Sequence, residues 1–246
     1  MLPGDTWPIP AMEGFLNARD LGGHPTSDGR RTRAGVVVRS DTLNPMGEAT
    51  AAALLARGVT CVVDLRLPEQ AARNPSPFAT PGAHGVTYHC LPFAGPVNSD
   101  DPGFGSLELQ YQAMTRSFTA VAAPVLGTIA AAGGTVLVHC EFGKDRTGLV
   151  SALLLDVASV PRDAIARDYA ESASGLRPVF ERFLAEGPGD RATREARLAL
   201  FTPRPEAMIA TLAHIDARHG GVRRYLLGAG VPPAVLEAVR ARLVEP

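Results

Sequence analysis

The chain has 246 residues, of which 46% are hydrophobic and 20% are charged, and its formal net charge is −1. This length and composition are typical of a globular protein whose core is large enough to need neither disulfides nor a structural metal. The nearly balanced charge excludes the global basic field that attracts nucleic acids or anionic membranes, so an anion site must be local. No internal repeat or long linker divides residues 1–246, which are therefore predicted to form a single domain.

The cysteines, the first residues and one uncharged stretch bear on where the protein is located. Three cysteines form no CxxC motif, which is typical of free thiols in a reducing compartment. The first residues lack the basic patch and apolar core of a signal peptide, so a cytoplasmic location is expected. The uncharged stretch 117–139 is long enough for a membrane span, but Pro124 and Gly133-Gly134 interrupt it. It is predicted to form a helix, a turn and a strand, without stable membrane insertion.

The hydrophobic pattern predicts alternating strands and helices, followed by a helical C-terminal half. Strands are predicted over residues 35–40, 59–65, 86–91 and 135–139. Helices are predicted over residues 46–57, 107–132 with a break at Pro124, 147–157, 162–172, 191–200, 204–219 and 232–243. Strands that alternate with helices in this way indicate an α/β protein.

The most informative segment is 138–148, with the sequence Val-His-Cys-Glu-Phe-Gly-Lys-Asp-Arg-Thr-Gly. Arg146 follows Cys140 by six positions, a spacing that decides little in a chain with 23 arginines. The position of the segment decides more, because it begins where an apolar strand ends and stops where an apolar helix begins. In that geometry successive backbone N–H groups and the positive end of the helix converge on one point, which favours a bound anion.

The residue types in this loop suit phosphate chemistry. Backbone donors and the helix N-terminus would stabilise Cys140 as a thiolate nucleophile. Arg146 can hold two phosphate oxygens with its planar guanidinium and follow the charge in the transition state. Gly143 permits a tight turn with close backbone approach. Thr147 could donate its hydroxyl to the thiolate and so ease the departure of the sulfur.

The loop His-Cys-x-x-Gly-Lys-Asp-Arg-Thr-Gly is similar to the signature loop of the cysteine-dependent protein tyrosine phosphatases, particularly their bacterial and fungal tyrosine/serine branch. Further motifs resemble that branch in the same order: Asn17-x-Arg19-Asp20, Arg39-Ser40, Asp64-Leu65-Arg66 with Glu69, Leu91-Pro92-Phe93, Asp168-Tyr169 and Tyr225-Leu226-x-x-x-Gly230. The resemblance spans nearly the whole chain. It implies the cysteine-based phosphatase fold, with a central, mainly parallel sheet flanked by helices and a helical C-terminal half.

The resemblance also implies an activity, that of a phosphoric monoester hydrolase without metal or cofactor. Cys140 would take the phosphoryl group, and water would then remove it. The substrate would be a phosphotyrosine-containing protein, with phosphoserine, phosphothreonine and phosphoinositides as further candidates. The substrate-binding residues would be Glu141, Phe142, Gly143, Lys144 and Thr147. The alternative is a catalytically silent module that binds phosphate or phosphoinositide with the same loop, and such modules would be expected to lack the nucleophile or the arginine.

Two positions compete for the general acid that must protonate the leaving oxygen. Asp145 lies inside the loop, as in branches of the superfamily that act on phosphoinositides. Relatives often carry an acid directly after the aromatic that corresponds to Phe93, but here the nearest acids are Asp100 and Asp101. Asp145 is preferred. Beside it Lys144, the only lysine in the chain, would add positive charge at the substrate rim.

Structural roles are predicted for the other motif residues. Asp64 and Arg66 should form an ion pair at a strand end, and Asp168-Tyr169 should pack against the helix after the loop. Arg19-Asp20 could either brace the loop or bind substrate. His139 should orient the loop rather than act as a base. The two His-Cys pairs lack the short ligand spacing of a zinc site, so no metal is expected there.

Overall fold

The computed structural model describes residues 15–42, 48–95 and 107–246. Within them, a mixed sheet has the strand order β1-β2-β5-β3-β4. Its strands are β1 (Arg19–Asp20), β2 (Val37–Ser40), β3 (Val59–Asp64), β4 (Thr87–Cys90) and β5 (Thr135–His139). The four longer strands run parallel, and only β1 is antiparallel to its neighbour β2. The mainly parallel sheet confirms the α/β fold expected from the sequence.

Helices cover both faces of this sheet. They are α1 (Glu48–Ala56), α2 (Pro68–Arg73), α3 (Leu107–Phe118), α4 (Ala122–Ala131), α5 (Arg146–Val157), α6 (Arg162–Gly175), α7 (Arg177–Glu186), α8 (Arg191–Phe201), α9 (Pro205–His219), α10 (Val222–Gly228) and α11 (Pro233–Leu243). The chain after β5 is therefore helical, as predicted. In the described parts of the chain, no helix has both the length and the apolar character needed to cross a membrane.

Several boundaries differ from the prediction. The helix predicted over residues 107–132 is divided into α3 and α4, and the break falls at residues 119–121 rather than at Pro124. Pro124 lies in the first turn of α4, where its missing N–H removes no intrahelical hydrogen bond. Three further helices, α2, α7 and α10, were not predicted. With six and seven residues, α2 and α10 are too short to show apolar periodicity.

Strand β5 is buried along its whole length between β2 and β3. Val136 and Val138 point into the larger apolar core, whereas Leu137 points into the smaller core on the opposite face. In the register of the sheet, His139 lies beside Ser40 on one side and Asp64 on the other. The carboxyl ends of the three parallel strands thus meet at one edge, where α/β proteins place their ligands.

Candidate active site

The loop of residues 140–145 joins β5 to α5 at this edge. Cys140 directly follows the strand and is 3% exposed, while Arg146 begins the helix and is 6% exposed. Within α5 the first hydrogen bond runs from the Leu149 amide to the Asp145 carbonyl oxygen. The amides at the start of α5 therefore lack a helical partner and face the loop, which is the arrangement predicted for an anion site.

Three consecutive carbonyl groups of the loop accept hydrogen bonds from outside it. The pairs are the Thr42 amide with Glu141 O at 2.9 Å, Asn17 Nδ2 with Phe142 O at 2.9 Å, and Arg39 Nη2 with Gly143 O at 2.7 Å. In a trans peptide, the carbonyl and the following N–H point in opposite directions. With the carbonyls held outward, the amides of residues 142–144 face the inside of the loop beside Cys140. This convergence of donors builds a cradle for an anion.

Gly143 is required by this path of the backbone. Its φ is +62°, a left-handed conformation that residues with a side chain rarely adopt. A Cβ atom at this position would lie 2.5 Å from both the carbonyl carbon and the carbonyl oxygen of Ser40. The loop therefore passes too close to the end of β2 for any residue other than glycine.

A buried ion-pair network holds the loop from below. Arg39, completely buried, pairs through Nη1 with Asp168 Oδ2 at 2.5 Å, and Arg19 Nε pairs with Asp168 Oδ1 at 2.9 Å. Although burial raises the pKa of Asp168, the two guanidinium groups lower it to about 2. Arg19 also donates to Asn17 Oδ1, which turns the Asn17 amide nitrogen towards the loop. Of the two roles predicted for Arg19, the contacts favour bracing the loop.

Arg146 is held in place by Leu65, which directly follows β3, and by Gln70 of α2. Its Nη1 donates to Leu65 O at 3.1 Å and to Gln70 Oε1 at 2.8 Å. Gln70 Oε1 also accepts the Leu67 amide at the start of α2, a hydrogen bond typical of a helix N-terminus. The sequence motif included Glu69, which is exposed, but not Gln70. The available signal was a glutamine three residues after Leu67, the residue that precedes α2.

Asp145 and Lys144 lie side by side at the end of the loop. The Tyr111 hydroxyl is 2.9 Å from Asp145 Oδ1, and Lys144 Nζ is 3.4 Å from the same oxygen. Lys144 is buried, and its Nζ donates to the carbonyl oxygen of Phe201 at the end of α8. The lysine predicted at the substrate rim is thus bound to a C-terminal helix. Asp100 and Asp101, the competing candidates for the acid, lie outside the described residues.

The remaining predicted binding residues differ in exposure. Phe142 is 42% exposed and is the most accessible side chain of the loop, and Glu141 is half-buried. The Thr147 hydroxyl is buried and has no hydrogen-bond partner among the described residues. This hydroxyl can therefore form a hydrogen bond with a group in the loop, such as the Cys140 sulfur.

Asp64 and Arg66 form the predicted ion pair, and Asp64 lies beside His139, the residue before Cys140. Asp64 and Arg66 are both completely buried, with Oδ2 and Nη2 at 2.7 Å. His139 Nε2 lies 3.5 Å from the same carboxylate, and its Nδ1 lies 3.3 Å from the Cys140 carbonyl oxygen. Burial lowers the pKa of His139 to about 4, although Asp64 raises it. His139 is therefore neutral at pH 7 and does not add a positive charge beside Cys140.

Two further predictions concern packing and metals. The ring of Tyr169 lies against Gly148, where an added Cβ would be 3.1 Å from Cδ2, so Tyr169 packs on α5 as predicted. Asp168 instead pairs with Arg19 and Arg39. In the portions of the chain that the structure describes, no group of three or more His, Cys, Asp and Glu side chains is placed to hold a metal ion.

Comparison with known proteins gives consistent results. The sequence model of the tyrosine phosphatase family matches residues 10–245. Triple specificity protein phosphatase PtpB of Mycobacterium tuberculosis is 28% identical, with 95% of this chain and 98% of PtpB covered. A putative tyrosine-protein phosphatase of Cupriavidus necator is 30% identical, with 89% of this chain and 83% of that protein covered. A tyrosine-protein phosphatase of Nostoc commune is 29% identical, with 85% of this chain and 74% of that protein covered.

The names of these relatives do not favour the alternative of a catalytically silent phosphate-binding module. The anion cradle, the family match and the relatives agree with one another. The chain therefore belongs to the tyrosine phosphatase family and is a hydrolase.

Proposed function

We propose that this protein hydrolyses phosphotyrosine and related phosphomonoesters through a cysteinyl-phosphate intermediate on Cys140. The observation that carries the proposal is that the carbonyl groups of residues 141–143 accept hydrogen bonds from outside the loop. The amides that follow these carbonyl groups therefore point towards the space beside Cys140. A phosphate dianion in that space would be neutralised by these amides, by the N-terminus of α5 and by Arg146.

In the first step, the Cys140 thiolate attacks phosphorus, an S–P bond forms and the bond from phosphorus to the ester oxygen breaks. Asp145 gives a proton to that oxygen, so the alcohol or phenol leaves in its neutral form. Arg146 binds the equatorial oxygens with the nitrogens that Leu65 O and Gln70 leave free.

In the second step, water attacks phosphorus and the S–P bond breaks, which releases inorganic phosphate and the thiolate. Asp145, now a carboxylate, takes the proton from the attacking water. The Thr147 hydroxyl, which is buried and without a partner among the described residues, would donate to the departing sulfur. Glu141, Phe142, Gly143 and Lys144 contribute mainly through their backbone.

The proposed substrate is a phosphotyrosine-containing protein. Phe142 offers an exposed aromatic face next to the cradle, on which a phenyl ring can pack. One relative is named a triple specificity phosphatase, which supports extending the proposal to phosphoserine, phosphothreonine and phosphoinositides.

The test is hydrolysis of p-nitrophenyl phosphate with EDTA present, for the wild type and for Cys140→Ser. We expect turnover that the substitution abolishes. Cys90→Ser is the matched control, because Cys90 carries a free, exposed thiol at the end of β4. An inactive wild type with its thiols shown to be reduced would reject the proposal and make a phosphate-binding module the better hypothesis. If the wild type is active, its rates on phosphopeptides and phosphoinositides rank the substrate classes.

A further inference from the structure

Tyr111 is a completely buried residue of α3 whose hydroxyl reaches the loop. Its oxygen lies 2.9 Å from Asp145 Oδ1 and 3.0 Å from the hydroxyl oxygen of Tyr169 on α6. The two tyrosine rings pack edge to face, with their centroids 5.6 Å apart. The phenol is therefore held rigidly against one oxygen of the carboxyl group.

The direction of these hydrogen bonds follows from counting hydrogens. A tyrosine hydroxyl carries one hydrogen, and an ionised carboxylate can only accept. When Asp145 is ionised, the single hydrogen of Tyr111 goes to Asp145, and the Tyr111–Tyr169 bond must then use the hydrogen of Tyr169. Burial raises the pKa of Tyr111 well above its usual value, so the phenol remains a donor throughout the working pH range.

The two oxygens of Asp145 consequently have different surroundings. Oδ1 faces the Tyr111 hydroxyl and, at 3.4 Å, the ammonium of Lys144, both of which are donors. Oδ2 has no hydrogen-bond partner among the described residues. While the Tyr111 and Lys144 donors point at Oδ1, Oδ2 is the oxygen that takes up a proton without any rearrangement of these hydrogen bonds.

We propose that Tyr111 is a positioning residue for acid catalysis: it fixes the Asp145 carboxyl group and confines its proton to Oδ2. This inference rests on the proposed role of Asp145 as the general acid. A general acid acts only when its proton is within hydrogen-bond reach of the leaving oxygen. A carboxyl group free to rotate would present the proton in the correct direction for only part of the time.

The test is Tyr111→Phe, which removes the hydroxyl and keeps the ring that packs on Tyr169. The readout is kcat/KM for p-nitrophenyl phosphate, whose leaving group needs little protonation, and for an alkyl phosphate, whose leaving group needs a proton. Because general acid catalysis contributes about 10²- to 10⁴-fold, we expect Tyr111→Phe to lose roughly tenfold more on the alkyl phosphate. The inhibition constant for inorganic phosphate should not change, because the cradle is intact.

Asp145→Asn and Tyr225→Phe are the reference variants. Asp145→Asn should show the largest selective loss on the alkyl phosphate. Tyr225→Phe is the matched control, because the buried Tyr225 hydroxyl donates to Thr115 O on the same helix, α3, and does not touch the loop. Its loss should be equal on both substrates.

The outcomes distinguish the role of Tyr111 from the role of Asp145 as the general acid. A selective loss for Asp145→Asn, together with an equal loss or none for Tyr111→Phe, would reject the role of Tyr111 alone. No selective loss for Asp145→Asn would reject both, even if Cys140→Ser still abolished turnover. If Tyr111→Phe fails to fold, as judged by circular dichroism, Tyr111→Met decides, because it also removes the hydroxyl that contacts Asp145. A selective loss on the alkyl phosphate supports the inference, and an equal loss on both substrates overturns it.

Discussion

Arg39 donates from Nη2 to the carbonyl oxygen of Gly143 at 2.7 Å while its Nη1 pairs with Asp168. One completely buried guanidinium thereby connects the loop to α6 and fixes the peptide that follows Gly143. Because the Lys144 amide must point away from this carbonyl, the contact determines the direction of one donor in the anion cradle.

Arg39→Lys should therefore weaken phosphate binding. An ammonium group has one nitrogen and cannot reach both Asp168 and Gly143 with the geometry of a guanidinium. We expect the inhibition constant for inorganic phosphate to rise about tenfold and the free energy of unfolding to fall by about 1–3 kcal/mol. The control is Arg191→Lys in the exposed Arg191–Glu195 pair, which should change neither quantity. Unchanged phosphate inhibition in Arg39→Lys would contradict the argument.

Gly143→Ala should displace the loop. The added Cβ would lie 2.5 Å from the Ser40 carbonyl, so the backbone must move away from β2. A shift of about 1 Å can cost about 10²-fold in rate, and we expect a loss of at least that size in kcat/KM for p-nitrophenyl phosphate. Gly127→Ala is the control, because that glycine lies within α4 with nothing near an added Cβ. It should raise stability by about 0.5–1 kcal/mol and leave the rate unchanged.

Gln70→Leu should reduce activity through Arg146. The substitution removes one of the two acceptors that hold Nη1, and a hydrogen bond to a charged group contributes about 1.5–3 kcal/mol. We expect kcat/KM for p-nitrophenyl phosphate to fall by about ten- to a hundredfold. Gln70→Glu keeps an acceptor oxygen and should retain most of the activity. Glu69→Gln alters an exposed neighbour and should have no effect. Equal activity of Gln70→Leu and the wild type would show that Arg146 does not need this contact.

His139 should make stability depend on pH. Its pKa is about 4 in the folded protein, lowered by burial, and near 6.5 in the unfolded chain. Between these values the unfolded chain binds more protons, so the free energy of unfolding falls as the pH falls from 6.5 to 4. The loss across this window amounts to about 3 kcal/mol. His139→Gln should remove this contribution. Denaturant unfolding at pH 7 and at pH 4.5 would measure it, and parallel losses in both proteins would contradict the assignment.

The sequence by itself determined the centre of the site. An apolar strand, the residues from Cys140 to Arg146 and an apolar helix follow one another directly, so local patterns predict the anion loop and the α/β class. The resemblance to the phosphatases implied the mainly parallel sheet. The ends of β3 and β5 were predicted to within about one residue, because buried strands are continuous apolar runs. The short helices α2 and α10 gave no comparable signal.

Only the tertiary structure decided what holds the loop. Asn17 is 125 positions from Phe142, Arg39 is 104 from Gly143, Gln70 is 76 from Arg146 and Tyr111 is 34 from Asp145. Each contact depends on how separate elements pack, and on a side-chain direction that no local pattern encodes. Lys144 illustrates this, because its place in the loop predicts a substrate contact whereas its ammonium binds the end of α8. Hydrogen-bond partners across the fold are set by packing, since a polar group removed from water takes the nearest available partner.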